Sequence, residues 1–173
     1  MVFKLEPTDE TRKIWQHDFE YRFDVTLRAD CIEWDVSVMN KGDKPFDVTL
    51  GMHTYFDVSS LKNVKIVGPF EGAKTTDKVT GAQGVAPSNE IIVDQAMDML
   101  YSDVTGPVSI IDTGKGTKIT MERRGFPDTV IWSPYGNEAM GFDKFVCLEP
   151  VQASPLTIEK EAKFYQKVSC EKI

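Results

Sequence analysis

The sequence has no apolar run approaching the length of a membrane-spanning helix. Its first residues, Met1-Val2-Phe3-Lys4-Leu5-Glu6, carry neither a long apolar core nor a small-residue cleavage site, so they do not read as a secretory signal. Cysteine is scarce. Cys31, Cys147 and Cys170 are odd in number and far apart, which argues against a disulfide framework and fits no metal-binding spacing. A reducing compartment follows as the expectation. Dinucleotide and phosphate-loop fingerprints are missing, and Gly114-Lys115-Gly116 reads as a hairpin turn. Positive charge is in deficit, with 20 Lys and Arg against 27 Asp and Glu and a net charge of -7. That argues against non-specific binding to nucleic acid or to an anionic membrane surface. An anionic small substrate stays open, because basic groups can cluster locally on an acidic protein.

What is present describes one ordinary globular domain over residues 1–173, with 41% apolar and 27% charged residues. The apolar period is two almost throughout, the mark of strands. Phe19, Tyr21, Phe23, Val25 and Leu27 alternate with polar residues, as do Ile32, Trp34, Val36 and Val38. A turn-rich segment from Asn40 to Pro45 leads to Phe46, Val48, Leu50, Met52 and Phe56. Residues 19–56 therefore predict three successive antiparallel strands. Shorter strands are expected at 64–67, 91–93, 108–111, 118–122, 129–132, 145–149 and 164–170. The polar stretch from Gly68 to Asn89 reads as a long loop, and 156–163 as a weak helix candidate. Many short strands with turn signals indicate an antiparallel β-sandwich.

Four constellations could carry chemistry. In His53-Thr54-Tyr55-Phe56, alternation turns His53 and Tyr55 away from the apolar face, where an imidazole can exchange protons near neutral pH. In Val146-Cys147-Leu148-Glu149-Pro150, the proline reads as a strand stop. Glu149 then sits at a strand end among apolar neighbours, a setting that raises a carboxylate's pKa. Asp98 lies among Met97, Met99 and Leu100, ahead of Tyr101, and could orient a sugar hydroxyl. Trp132, near Tyr135 across a turn, could pack on a sugar face. Each has a plainer reading taken alone. These are a half-buried histidine satisfied by a neighbour, a solvated glutamate, an Asx turn and hairpin packing. Cys147 reads as a small core residue, and adjacent Arg123 and Arg124 must point to opposite faces.

The ordered runs Trp15 to Phe19, Asn40 to Phe46, His53 to Phe56, Trp132 to Pro134 and Val146 to Pro150 resemble glucose-6-phosphate 1-epimerase-like proteins of the aldose 1-epimerase superfamily. The plant and algal group called apospory-associated protein C is similar especially around His53 to Lys78. The resemblance implies an all-β, galactose-mutarotase-like antiparallel β-sandwich, a partial supersandwich. It implies interconversion of α and β anomers without metal or other cofactor. His53 would be the general acid at the ring oxygen and Glu149 the general base at the anomeric hydroxyl, on opposite sides of the sugar. Asp98 would bind substrate, with Tyr55 and Trp132 lining the site.

Three departures stand out. Met99 replaces the family's arginine after the aspartate, Ser133 replaces an asparagine, and the family's N-terminal strands and phosphate-binding basic residues have no counterpart. The partner implied is a sugar or sugar phosphate, with a protein partner to cover strands left open. The compartment implied is cytoplasmic, or plastid where a transit peptide has been lost. Two other readings answer to the departures. One is a non-catalytic accessory or structural subunit, and the other a carbohydrate-binding module.

Overall fold

The computed structural model describes all residues from Met1 to Ile173. Two antiparallel sheets face each other. The first has the order β1 (Val2–Leu5), β2 (Phe19–Leu27), β3 (Cys31–Asn40), β15 (Glu161–Lys172), β12 (Thr117–Arg124), β11 (Val108–Asp112), β6 (Val64–Val67) and β9 (Glu90–Ile91). The second runs β4 (Phe46–Gly51), β14 (Phe145–Ile158), β13 (Asp128–Ser133), β10 (Met97–Tyr101), β7 (Lys74–Asp77) and β8 (Gln83–Val85). Strand β5 (Tyr55–Asp57) pairs with β14 beside β4. No helix is long and apolar enough to cross a membrane.

Alternation decides which side chains meet between the sheets. Ile66, Ile110, Met121, Ile131, Val146 and Leu148 are among the fully buried residues of one apolar cluster. Phe19, Val36, Val38, Phe46, Phe126, Ile158 and Phe164 form a second. Leu148 lies opposite Ile131 across the β13–β14 ladder, so both project into the core. Their neighbours Cys147 and Glu149 must then project to the outer face of the second sheet. Gly125 turns the chain between β12 and β13 with φ +82°, and a Cβ there would stand 2.5 Å from the Lys163 carbonyl oxygen.

Four sequence expectations need correction. The helix candidate at 156–163 is instead the hairpin between β14 and β15, whose first turn follows Ile158. Pro150 does not end its strand, since β14 continues to Ile158. The polar stretch 68–89 contains β7 and β8 rather than one long loop. The strand begun at Phe46 breaks after Gly51 and resumes at Tyr55. One helix, α1 (Asp9–Ile14), escaped periodicity because six residues give less than two turns. Its signal is a reciprocal cap. The Thr11 N–H donates to Thr8 Oγ1 at 3.2 Å, and the Thr8 N–H donates to Thr11 Oγ1 at 2.8 Å.

Asp112 ends β11 at 2% exposure. Burial pushes its carboxyl toward a higher pKa, but donation from Ser59 Oγ and from the N–H groups of Ser59, Lys115 and Gly114 outweighs that and holds it below the usual value. A depressed folded-state pKa adds stability above the unfolded value, and that stability is lost as pH falls through the folded one. Asp112→Asn is thus expected to cost about 1–3 kcal/mol at neutral pH. The deficit should shrink below about pH 4, the ordinary range of an aspartate. Urea midpoints of both proteins across that range measure it, and a pH-independent deficit would refute the charge's role.

Candidate active site

The register of the second sheet assembles the site. Asp98 lies opposite Trp132, Trp132 opposite Cys147, and Cys147 opposite Tyr55, one row across β10, β13, β14 and β5. Glu149 belongs to the next row, with Val130 and Leu100. Asp98 and Glu149 thus share a face two strands and one row apart, roughly 12 Å between their Cα atoms at normal sheet spacing. The structure brings His53, Tyr55, Asp98, Trp132 and Glu149 to one face of the second sheet.

His53 reaches this face from a break in the sheet. The N–H of Thr54 donates to the carbonyl of Met52 at 3.0 Å, a three-residue turn centred on His53. Pro150 is the reason. Its carbonyl accepts from the Met52 N–H at 3.1 Å, as an antiparallel pair requires, but it has no N–H to return to the Met52 carbonyl. That carbonyl is left to Thr54. The ladder resumes where the Leu148 N–H donates to the Thr54 carbonyl at 3.3 Å. Proline thus stands inside β14 without loss, because its missing donor falls in the gap between β4 and β5.

His53 Nε2 lies 3.4 Å from Glu149 Oε1. The histidine side chain is 51% exposed and the glutamate's only 10%. Burial raises the Glu149 pKa. The charges of His53 and Lys78 oppose that shift, and Asp98 reinforces it. The expectation that acid and base stand on opposite sides of a sugar is replaced by direct contact. Chemistry permits this, because the ring oxygen and the anomeric hydroxyl are bonded to the same carbon.

Aromatic rings wall the site. His53 stacks on Tyr55 with centroids 5.0 Å apart, and Trp132 meets His53 edge-on at 5.7 Å. Phe145, which sequence reading missed, packs 5.2 Å from Tyr55 and 6.0 Å from Trp132. Tyr135 does not join them. It packs on Phe142 instead.

Lys78 was also missed, because it falls in the stretch read as loop. Its backbone N–H donates to the Asp98 carbonyl at 2.8 Å, and its Nζ stands 3.8 Å from Asp98 Oδ1. A cavity of about 280 Å³ opens on the same face, lined by Gly51, Lys78, Leu100, Val130, Val151 and Gln152 among others. Its size is at the small end for ligand pockets. Met99 points from the opposite face of β10 and packs against the core. Arg123 is buried and Arg124 lies over the Tyr165 ring, so neither serves this face.

A profile of the aldose 1-epimerase family matches residues 1–168. A protein of Cenchrus ciliaris, provisionally named glucose-6-phosphate 1-epimerase, is 28% identical over 171 residues, covering 90% of this chain and 51% of that protein. A Salmonella typhimurium protein with the same provisional name is 26% identical over 184 residues, covering 99% and 60%. An Arabidopsis thaliana protein named for NDH-dependent cyclic electron flow is 24% identical over 163 residues, covering 82% and 46%.

Among solved structures, a provisional mutarotase from Salmonella typhimurium superposes with a TM-score of 0.89 at 25% identity, over 99% of this chain and 60% of that one. A Synechocystis protein shares the fold, with a TM-score of 0.87 at 17% identity over 99% and 61%. The chain spans about half to three-fifths of the length of these relatives. The two-sheet architecture and the family profile agree along nearly the whole sequence, and this chain belongs to the aldose 1-epimerase family.

Proposed function

We propose that this site interconverts the α and β anomers of an aldose, with a hexose 6-phosphate as its substrate, by acid–base ring opening. The observation that carries the reading is the contact of His53 Nε2 with Glu149 Oε1 at 3.4 Å on the face that also presents Asp98. Glu149 takes the proton from the anomeric hydroxyl while His53 gives one to the ring oxygen. The bond from the anomeric carbon to the ring oxygen breaks, leaving an open-chain aldehyde. Rotation about the bond from C1 to C2 presents the other carbonyl face. Closure then returns both protons. Asp98 accepts from sugar hydroxyls, and Tyr55 and Trp132 pack on the apolar faces of the ring. Two features favour a phosphate on the substrate. The relatives from Cenchrus and Salmonella carry glucose 6-phosphate in their names, and Lys78 supplies a cation at the cavity wall.

Two-dimensional exchange NMR tests this with glucose 6-phosphate, glucose and galactose. Anomer exchange of glucose 6-phosphate is expected to exceed the spontaneous rate. No acceleration with any of the three would overturn the reading.

A second reading has its own observation. The β4 edge is unpaired, and beside it a groove of about 230 Å³ is lined by Leu5, Trp15, Tyr21, Val38, Val48 and Leu50, with others. Phe3 and Leu5 on β1 are 52% and 47% exposed. An open edge next to apolar surface is a template for another strand. In this reading the chain is an accessory subunit whose edge another polypeptide pairs. The Arabidopsis relative, named for electron flow and not for sugar chemistry, is consistent with it. Alone, the chain is expected to self-associate, and Leu50→Lys to shift it toward monomer. Sedimentation at on the order of 100 μM measures both, and a monodisperse wild-type monomer would remove this reading.

A further inference from the structure

Every acid–base candidate in the site has been given a role, but one neighbour has none. Cys147 is fully buried, yet alternation puts its side chain on the site face and not in the core between the sheets. Its sulfur, His53 nitrogen and a Glu149 oxygen all lie within 4.8 Å of one another. We propose that His53, Cys147 and Glu149 form a binding site for a zinc-class divalent cation. In occupying it, the cation ties up the pair assigned to proton transfer, a consequence that rests on the preceding reading.

The argument begins with ligand type. Imidazole nitrogen, thiolate sulfur and carboxylate oxygen are the three donors from which zinc sites are built. Soft sulfur beside imidazole selects zinc-like ions over magnesium or calcium. Distance comes next. Zinc–nitrogen and zinc–oxygen bonds of about 2.0–2.2 Å at tetrahedral angles separate those ligands by about 3.3–3.5 Å. The 3.4 Å between His53 Nε2 and Glu149 Oε1 already meets this. Bringing the sulfur to a bond of about 2.3 Å asks for a shift on the order of 1 Å. His53 can supply it, since its side chain is half-exposed and sits on a three-residue turn outside the ladder.

Access agrees. The exposed imidazole gives the ion a way in from solvent, and three protein ligands leave a fourth position for water. The ion has to displace the thiol's proton against an opposing shift, since burial and the Glu149 charge push that pKa up to about 12. On binding, the S–H bond breaks, the proton leaves to solvent, and the sulfur lone pair forms the bond to the ion. No electron changes hands. The sequence shows no metal spacing because the ligands stand at 53, 147 and 149, joined only when β14 lies beside the β4–β5 break.

The test uses cobalt(II) as a spectroscopic substitute for zinc, added to the whole chain at neutral pH, with zinc as competitor. Wild type is expected to show a thiolate-to-cobalt charge-transfer absorption that zinc abolishes. Cys147→Ser should remove the band. His53→Ala, at an exposed position that does not threaten folding, should weaken cobalt binding by more than about tenfold. Cys170→Ser, the exposed thiol, should leave the band intact. A wild-type protein without the band, or a band that survives Cys147→Ser, would overturn the proposal. These readouts do not depend on turnover, so they stand apart from any failure of the epimerase reading. If that reading holds, micromolar zinc should slow anomer exchange in the wild type and spare the Cys147→Ser variant. Equal inhibition of both would place the inhibitory ion elsewhere.

Discussion

Glu149→Gln is expected to slow anomer exchange of glucose 6-phosphate by about 10²–10⁴-fold, the range that positioned acid–base groups contribute. The change keeps the shape of the side chain and removes its capacity to take a proton. The fold should stand. Burial raises the glutamate's folded-state pKa, so the folded protein disfavours the ionised form and loses stability as pH rises through that pKa. A glutamine has no charge to bury, and the variant's melting temperature at neutral pH should equal or exceed the wild type's. Exchange NMR and a thermal melt on one preparation separate the two effects. Unchanged turnover would show that Glu149 is not the base, and a collapsed melt would show that the residue is structural.

Leu148→Ala should do the reverse. Leu148 is fully buried, stands opposite Ile131 and belongs to the larger core cluster. Truncating it is expected to cost about 2–5 kcal/mol, a large fraction of the about 5–15 kcal/mol that holds a typical domain together. Urea denaturation measures the loss, and turnover per folded molecule should be little changed. The two variants together test the register of β14. A slip of one residue would exchange the faces of Leu148 and Glu149, so a cost below about 1 kcal/mol for the alanine would count against both assignments.

The long strands were legible because apolar residues recur at every second position along them, although burial is only partial: Phe19, Val36 and Val38 are buried and Leu27 is exposed. Phe19 to Leu27 and Cys31 to Asn40 alternate cleanly, and both are strands in the fold. Where that alternation is absent, sequence reading failed. Strands β7 and β8 carry Thr75, Thr76, Gln83 and Gly84, and none of their residues is buried. Their partners across the ladder, not their own composition, make them strands. The segment 156–163 has no consistent period, and its extended form comes from pairing with β4 and β3 on either side of a tight turn.

The site was legible in part for a different reason. His53, Asp98 and Glu149 were found through ordered motifs, whereas Lys78 and Phe145 needed the register. Lys78 meets Asp98 twenty residues away, and Phe145 meets Tyr55 only because β5 lies against β14. Contacts across a sheet depend on which strands are neighbours, and that order is written in no local window of sequence.

The turn centred on His53 carries a last implication, for inheritance rather than for structure. Its shape is set by the absence of one hydrogen atom on Pro150, ninety-seven positions along the chain, in a different strand. Any other residue at 150 would bring an N–H to compete for the Met52 carbonyl, and would draw residues 52–54 toward a continuous strand. Mutational drift at 150 is therefore drift in the placement of the imidazole at 53. The two positions should change together or not at all among descendants of this sequence, although their side chains need never touch.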